Sequence, residues 1–418
     1  MRLPGTPKTR ALVMLLGGRA AFRGTVLLSN LALLAAWGAN GYADYAQAMG
    51  SMMFLAPLAS IGIEKCALKL IPRLRSTVAS LLVGVFVTLC ALLLTVALTV
   101  LATTVALGHS GHWETAGLAG LYAICVGLTQ VMVGLSRALG KPKRDVAAHL
   151  TLCAALACWT AVVVVLKVSP VTFLTLTVAT MATVNVVLLV MLRPRFDGLR
   201  RRTLVRAAMR TSLLMAIPDL VGGLSMSLLF VALSVTGARA ESTGLYMASV
   251  ASALLLNAFS YLLRVLQPDV SRSLNQRDLT ATYDRLSRWL RLLVLAGVVY
   301  VPAVLALALA VLRPYGGAGV VIVYAACVPV IFAVGSANYV MENASAGALA
   351  ATSAGAAVSL VAVGALAFSI VPWAGALGAV TVLAFGELVH ALVILRWLRT
   401  ARGRLEKPAS HILIGERK

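Results

Sequence analysis

Long apolar blocks alternate with short polar or basic segments along the whole chain. Each block holds about 20 residues or more, the length that a helix needs to cross a hydrocarbon core of about 30 Å. Hydropathy predicts about twelve such helices, at residues 13–37, 44–68, 77–107, 116–137, 146–167, 170–192, 211–235, 243–266, 290–312, 317–340, 348–370 and 374–398. We therefore expect an all-α polytopic membrane protein.

A basic segment divides these predicted helices into two sets of six. Its sequence is RPRFDGLRRRTLVRAAMR (193–210), and it contains seven arginines. We predict an N-terminal six-helix bundle at 1–192, a cytoplasmic linker at 193–210, a C-terminal six-helix bundle at 211–398 and a cytoplasmic tail at 399–418. Two bundles related by an axis along the membrane normal are a known transporter architecture, with the substrate site in a cavity between them.

The charge distribution agrees with this layout and gives it an orientation. Charged residues make up 12% of the chain, against about 25% in soluble proteins, and the net charge is +22. If the N-terminus is inside, every lysine and arginine falls at a cytoplasmic position except Lys167, Arg239 and Arg313. Bases mark cytoplasmic loops, so the positive charge gives no reason to expect a nucleic-acid partner. We predict a multi-pass protein of the cytoplasmic membrane with both termini in the cytoplasm.

Two segments are predicted to lie at the cytoplasmic surface. The arginines of 193–210 suit contact with anionic lipid headgroups, and their role as topology anchors is the alternative explanation. In the second segment, apolar residues at helical spacing predict a short amphipathic helix on the membrane surface; they are Leu279, Tyr283, Leu286 and Leu290.

The second and eighth predicted helices begin alike, with Tyr45 and Tyr246, and end alike, at Pro72 and Pro268. Because tyrosine is enriched at membrane–water interfaces, we interpret both tyrosines as anchors at the outer surface. Such an internal likeness is expected if the two halves have the same orientation.

The second predicted helix also carries a family resemblance. Its sequence, GYADYAQAMGSMMFLAPLASIGIEKCALKLIPRL (41–74), has a Gly and Tyr pair, a small–Gly–hydrophobic turn and a final Pro-Arg-Leu. These are Gly41 with Tyr42 or Tyr45, Ile61-Gly62-Ile63, and Pro72-Arg73-Leu74. The pattern resembles the polysaccharide-transporter (O-antigen or lipid-linked oligosaccharide flippase) family of the multidrug/oligosaccharidyl-lipid/polysaccharide (MOP) exporter superfamily.

Three further stretches are similar to the same family in the expected order. They are LTQVMVGLSRALGKPKRDVAAHL (128–150), MRTSLLMAIPDLVGGLSMSLLF (209–230) with ESTGLYMASVASAL (241–254), and LQPDVSRSLNQRDLTATYDRLSRWLRLL (266–293). The resemblance implies export of a lipid-linked glycan. The chain departs from the family in helix 7, where SMSLLFVALSV (225–235) lacks the Asp or other polar group that members often carry.

Four arginines are candidates for a cationic substrate site: Arg19, Arg23, Arg137 and Arg264. The first two lie four residues apart on one face of helix 1, and the other two end helices 4 and 8. A guanidinium binds phosphate oxygens in a fork geometry, which suits the pyrophosphate headgroup that the resemblance implies. The alternatives are snorkelling to the headgroups for the helix 1 pair and topology anchoring for the other two.

Ion coupling has three candidates, which are Asp219 in helix 7 and Glu387 and His390 in helix 12. Glu387 and His390 lie three residues apart, so they are neighbours on one helix face. They form either a proton-responsive pair or a packed polar contact. Drug antiporters of the superfamily usually need a buried acid in an N-terminal helix, and helix 1 contains no Asp or Glu.

The chain contains no Walker loop and no catalytic or metal-binding arrangement, so we expect neither an enzyme nor a cofactor nor a metal site. We predict an exporter that moves a polyprenyl-pyrophosphate-linked glycan across the membrane by alternating access. Expected partners are that glycan, membrane lipids, and glycosyltransferases or a polymerase of the same pathway. A drug or metabolite antiporter of the same superfamily and a non-transporting scaffold of a glycan-assembly complex are the alternatives.

Overall fold

The computed structural model describes residues 7–71, 76–107, 113–253, 318–344 and 346–405, with isolated positions between 256 and 310. All regular structure within these ranges is helical. Eight of the described helical segments are long and apolar enough to cross a membrane. The predicted all-α polytopic fold is confirmed.

Among the described residues, seven helices precede the basic segment. They are α1 (Pro7–Ser51), α2 (Leu55–Ser60), α3 (Ile63–Leu70), α4 (Ser76–Leu107), α5 (Trp113–Ala138), α6 (Pro142–Leu166) and α7 (Pro170–Leu192). The short connection between α6 and α7 is set by local chemistry. Lys167 has a φ of 51° just after α6, and the Ser169 hydroxyl accepts a hydrogen bond from the Thr172 N–H at 3.3 Å.

The first two predicted membrane helices form a single helical segment that reverses direction at Gly38. Gly38 has a φ of 69°, a region that favours glycine. Tyr42 Oη donates a hydrogen bond to Asn30 Oδ1 at 2.8 Å, although residues twelve apart in a straight helix are separated by about 18 Å. The chain therefore turns back on itself within α1.

The C-terminal half contains α8 (Arg202–Val235), α9 (242–253), α10 (Ala318–Ala344) and α11 (Ala346–Leu405). α11 also reverses, at Gly375, whose φ is 54°. The Ser359 hydroxyl donates to the Gly386 carbonyl at 2.8 Å across this reversal. Glu241 accepts a hydrogen bond from the Ala376 N–H, next to Gly375, and nearby Arg239 pairs with Asp44 of α1. Gly38 and Gly375 therefore lie at the same end of the bundle.

Since the spans at both reversals are antiparallel pairs, the eight apolar segments account for ten of the predicted helices. The eighth predicted helix begins as α9. The ninth (290–312), the surface helix that carries Leu279, and the prolines Pro72 and Pro268 lie outside the described residues, except for isolated positions.

The connection between α7 and α8 is shorter than the linker predicted at 193–210. Residues 196–200 form a 3-10 helix, and α8 already begins at Arg202, so 202–210 are helical and not linker. Leu, Arg, Ala and Met are good helix formers, and Ala208 is fully buried against the Cys66 side of α3. Packing therefore extends α8 into residues 202–210, which were predicted to be linker on the basis of their charge.

The second predicted helix is broken between α2 and α3. Gly62 has a φ of 62°, and a Cβ at this position would lie 2.9 Å from the backbone nitrogen of Ala216 on α8. Ile61 is also in the left-handed region, with a φ of 26°, and its carbonyl accepts a hydrogen bond from the Ser212 hydroxyl. The expected turn at Ile61-Gly62-Ile63 is therefore present, at a close approach of the two halves.

Candidate functional site

Charged side chains are buried among four helices of the N-terminal half. We call Arg19 (α1), Glu64 (α3), Arg137 (α5), Asp145 and His149 (both α6) the N-half ion cluster. The Arg137 guanidinium donates to the Glu64 carboxylate, and its Nε lies 2.9 Å from Asp145 Oδ2. The Arg19 guanidinium lies 3.6 Å from Glu64 and 3.7 Å from Asp145. His149 Nδ1 lies 2.7 Å from Asp145 Oδ1.

Burial makes these contacts important for stability. Asp145 is 1% exposed and Glu64 4% exposed, so neither carboxylate is compensated by solvent. Two arginines face two carboxylates, which leaves the cluster neutral when His149 is neutral. Removing one partner of a buried ion pair costs about 3–5 kcal/mol because it leaves the other charge uncompensated. The cluster therefore ties α1, α3, α5 and α6 together.

Glycines allow these helices to approach each other. Gly134 lies one turn before Arg137, and a Cβ there would lie 2.5 Å from Glu64 Cγ. Gly18 precedes Arg19, and a Cβ there would touch the Val146 side chain at 3.4 Å. Small residues serve the same purpose at many helix contacts in membranes.

The structure thus brings together Arg19 and Arg137, two of the four predicted cationic residues. Helix 1 has no acid of its own, and the structure shows that the counter-ions of Arg19 come from α3 and α6. Glu64 and Asp145 were not assigned to the site from sequence. A charge within an apolar span costs several kcal/mol unless it is compensated. This rule could have identified both carboxylates as partners of the arginines. Arg264 lies outside the described residues.

Arg23 has different surroundings from Arg19. Its guanidinium lies within electrostatic reach of the phenol groups of Tyr122 on α5 and Tyr246 on α9. The Tyr246 ring packs edge-on against Tyr45, with ring centroids 6.0 Å apart, and Tyr45 packs against Tyr42 at 5.5 Å. Aromatic side chains from both halves of the chain therefore meet within electrostatic reach of one arginine.

Tyr45 and Tyr246 are not interfacial anchors, and this interpretation of the sequence was wrong. They are 4% and 6% exposed, respectively, and they contact each other between the two halves. Equivalent residues meet in this way when they lie close to a pseudo-twofold axis. Their shared position at the starts of two helices therefore corresponds to a contact between the halves.

Polar contacts join the two halves at the end of the bundle that contains the Gly38 and Gly375 turns, which we call the Gly38 end. Asp44 Oδ1 and the Arg239 guanidinium lie 2.8 Å apart. The Gln47 amide donates to the Phe230 carbonyl at 2.7 Å and accepts from the Ser242 hydroxyl at 2.5 Å. The Ser227 hydroxyl of α8 donates to the Gly50 carbonyl of α1 and accepts from the Phe54 N–H just before α2, so this serine packs α8 against the N-terminal half.

A cavity of about 180 Å³ lies in the C-terminal half, and all three predicted ion-coupling residues line it: Asp219, Glu387 and His390. Two further charged residues complete its lining. Lys65 Nζ, from α3, lies 3.0 Å from Asp219 Oδ1 and 3.1 Å from Glu342 Oε1. We call this region the C-half cavity, and the end of the bundle that contains Lys65 the Lys65 end.

Lys65 and Glu342 were missed in the sequence analysis. Lys65 looked like one more base at a cytoplasmic helix end, and Glu342 is one of few acids near the end of α10. Glu342 is only 5% exposed. The presence of an acid near the end of an apolar helix could again have marked Glu342 as a residue with a charged partner.

His390 is held by close packing within the cavity wall. A Cβ at Gly355 would lie 2.8 Å from His390 Cδ2, so the two spans of α11 touch at this point. His390 is 6% exposed and hydrogen-bonded to the Thr352 backbone, while no partner for its Nε2 occurs among the described residues.

No protein-family model matches the chain, and no similar sequence is found among curated proteins. Solved structures do match over nearly the whole length. An inward-facing conformation of a multidrug resistance MATE family transporter of the MOP superfamily aligns with a TM-score of 0.71 at 15% identity, covering 94% of this chain and 96% of that chain. An outward-facing conformation aligns with a TM-score of 0.62 at 16% identity, covering 97% and 98%.

A third structure is of a MOP superfamily transporter from Pyrococcus furiosus. It aligns with a TM-score of 0.64 at 15% identity, covering 96% of this chain and 97% of that chain, and reversed polarity of its binding pocket suggests a different function for that protein. Identities this low establish the fold and not the substrate. The chain has the fold of the MATE transporters of the MOP superfamily, with about twelve helices in two bundles.

Proposed function

We propose that this protein is a membrane exporter that moves a lipid-linked oligosaccharide or polysaccharide precursor across the cytoplasmic membrane by alternating access. The fold supports the transport part of the proposal, because it aligns with both an inward-facing and an outward-facing transporter. The TM-score is 0.71 for the inward-facing structure and 0.62 for the outward-facing one, and contacts between the halves of this chain occur at the Gly38 end and at the Lys65 end. The Gly38 end faces outward in the predicted topology.

The placement of Arg23 among tyrosines carries the substrate part of the proposal. A guanidinium binds phosphate oxygens through several N–H donors at once. Phenol rings can pack on the apolar faces of sugar rings and hydrogen-bond to their hydroxyl groups. Arg23, Tyr122 and Tyr246 combine both chemistries at the junction of the two halves.

Arg19 and Arg137 have a supporting role in this proposal. Their charge is balanced by Glu64 and Asp145, so they provide little surplus positive charge for a substrate. By fixing α1 against α3, α5 and α6, they position Arg23, one turn further along the same helix face. We assign the diphosphate contact to Arg23.

The C-half cavity is the proposed place of ion coupling. It combines Asp219, Glu342, Glu387 and His390 with Lys65, which belongs to the other half of the chain. An ion or proton that changes the charge of this cavity would change the attraction between Lys65 and the two carboxylates that it contacts. Coupling would in this way alter the contact between the halves.

A drug or metabolite antiporter is the second candidate. The same fold supports it equally, and the structure adds one observation in its favour. Buried carboxylates do occur in the N-terminal half, at Glu64 and Asp145, although helix 1 itself carries none. Both carboxylates are paired with arginine, which reduces the negative charge available to a cationic drug.

The test is transport by the purified protein in proteoliposomes, with two probes measured separately. One probe is a fluorescent polyprenyl-diphosphate disaccharide, and the other is a fluorescent lipophilic cation. We expect movement of the first only. Arg23→Ala should slow it by a factor on the order of ten to a hundred, since charge-assisted hydrogen bonds contribute about 1.5–3 kcal/mol. Arg23→Lys should be intermediate, because the charge remains and the planar fork is lost.

The matched control is Arg396→Ala, which removes an exposed arginine from α11 and should leave the rate unchanged. Transport of the cation without the glycan lipid would favour the antiporter. Equal rates for wild type and Arg23→Ala, at equal protein content, would remove Arg23 from the substrate site. Interaction with glycosyltransferases or a polymerase belongs to the same proposal and would be tested by co-purification from the native membrane.

A further inference from the structure

An open groove lies on the outside of the bundle, between α4, the 3-10 helix at 196–200 and the first turns of α8. Its volume is about 640 Å³, within the range of about 300–1,000 Å³ for small-molecule sites. Leucines and a methionine form most of its wall, among them Leu92, Leu199, Met209 and Leu213. Their side chains are between 39% and 57% exposed, which in a membrane means contact with lipid.

Three arginines run along one edge of this groove. Arg202, Arg206 and Arg210 follow each other at four-residue intervals on α8, so they lie along one side of the helix over about 12 Å. None of the described residues that line the groove is acidic. A cationic edge beside an apolar wall is complementary to a molecule with an anionic head and a hydrocarbon tail.

The groove is built into the fold. The 3-10 helix is pressed onto α4, since a Cβ at Gly198 would lie 2.5 Å from the Leu81 carbonyl oxygen. On the other side, Ser212 of α8 bonds to Ile61, which lines the groove together with Ile63. Its walls are therefore held by backbone contacts, and it reaches the break between α2 and α3.

We propose that this groove is a binding site for an anionic glycerophospholipid of the bilayer. The headgroup phosphate contacts the three arginines, and an acyl chain lies along the leucines of α4 and α8. The groove opens to the surroundings of the bundle and is separate from the tyrosines beside Arg23, so a bilayer lipid reaches it from the side. A lipid bound here touches Ile61, which is partly exposed, and so contacts the broken helix that runs between the two halves.

The experiment measures binding of fluorescent phosphatidylglycerol to the full-length protein in a neutral detergent. The test variant carries Arg202→Gln, Arg206→Gln and Arg210→Gln. The control variant carries Arg193→Gln, Arg195→Gln and Arg201→Gln, which change the net charge equally at exposed positions outside the groove. We expect the test variant to bind on the order of a hundredfold more weakly, since each base near an anionic surface contributes a factor of about five. The control variant should bind within about threefold of wild type.

A second variant tests the apolar wall and keeps all three arginines. Met209→Trp fills the groove and should reduce phosphatidylglycerol binding by about tenfold, whereas an unspecific charge effect would leave binding unchanged. Phosphatidylcholine, which has no net charge, should compete poorly. Equal losses in the two triple variants, or none in either, would overturn the proposal. Stronger binding of a polyprenyl diphosphate than of phosphatidylglycerol would also overturn it, by assigning the groove to that lipid.

Discussion

Arg19 and Arg137 show how single residues acquire their roles from neighbouring helices. On their own helices both looked like cations available to an anionic substrate or to the headgroups. In the folded chain both contact Glu64 and Asp145. Both could be singled out from the sequence because each lies in or at the end of an apolar span, where an uncompensated charge is costly. Their partners could not, since pairing depends on how each helix is rotated about its axis.

Arg137→Ala should destabilise the protein strongly. It leaves Glu64 and Asp145 with Arg19 and His149 alone, at an expected cost of about 3–5 kcal/mol. Thermal unfolding in detergent should show a clear fall in the apparent Tm, with a smaller fall for Arg137→Lys. Lys143→Ala, an exposed change on the same end of α6, is the control and should have little effect. An unchanged Tm for Arg137→Ala would contradict a stabilising role for the N-half ion cluster.

At the scale of helices, hydropathy predicted the membrane spans well because a span must bury its backbone polar groups in its own hydrogen bonds. The reversal at Gly38 falls in the gap between the first two predicted spans, whereas Gly375 lies just inside the start of the twelfth predicted span, 374–398. The start of α8 was misjudged, because seven arginines suggested a linker and packing of Ala208 decided for a helix. The arginines showed that this segment is exposed to solvent or headgroups, but they did not show whether its backbone is helical.

Gly62 offers a direct test of the broken helix. Gly62→Ala places a Cβ in a left-handed conformation, at a cost of about 1–2 kcal/mol, and presses it against the α8 backbone near Ala216. We expect a lower apparent Tm and slower transport. Gly222→Ala is the matched control on α8, because its Cβ would meet no atom within 4 Å. If both variants behaved alike, the close approach at Gly62 would be unimportant.

At the scale of the whole molecule, the pairing of Tyr45 with Tyr246 and the C-half cavity depend on how the two halves meet. The sequence indicated two halves of equal orientation through the likeness of those two tyrosines. It could not show that they touch, because contacts between distant segments leave no periodic pattern in one sequence. For the same reason, Asp219, Glu387 and His390 were recognised separately, while their common cavity and its partners Lys65 and Glu342 were not.

The orientation in the membrane remains a prediction and is testable by labelling. In a cysteine-free background that transports normally, Arg201→Cys should react only after the membrane is permeabilised. Lys167→Cys, exposed after α6, should react with an impermeant maleimide added to intact cells. The expectation rests on the concentration of lysine and arginine at one side of the bundle. Labelling of position 201 from outside would reverse the topology and, with it, the direction of transport.

The break at Gly62 separates the second membrane helix into a piece that carries Tyr45 and a piece that carries Lys65. The first piece belongs to the contacts at the Gly38 end, and the second to those at the Lys65 end. An ion-coupled transporter, as proposed for this chain, must not form a continuous water path, because leaking ions would dissipate the gradient. In the proposed mechanism, two pieces that tilt separately would allow one barrier to open while the other stays closed, so the left-handed backbone at Ile61 and Gly62 would keep the membrane sealed during transport.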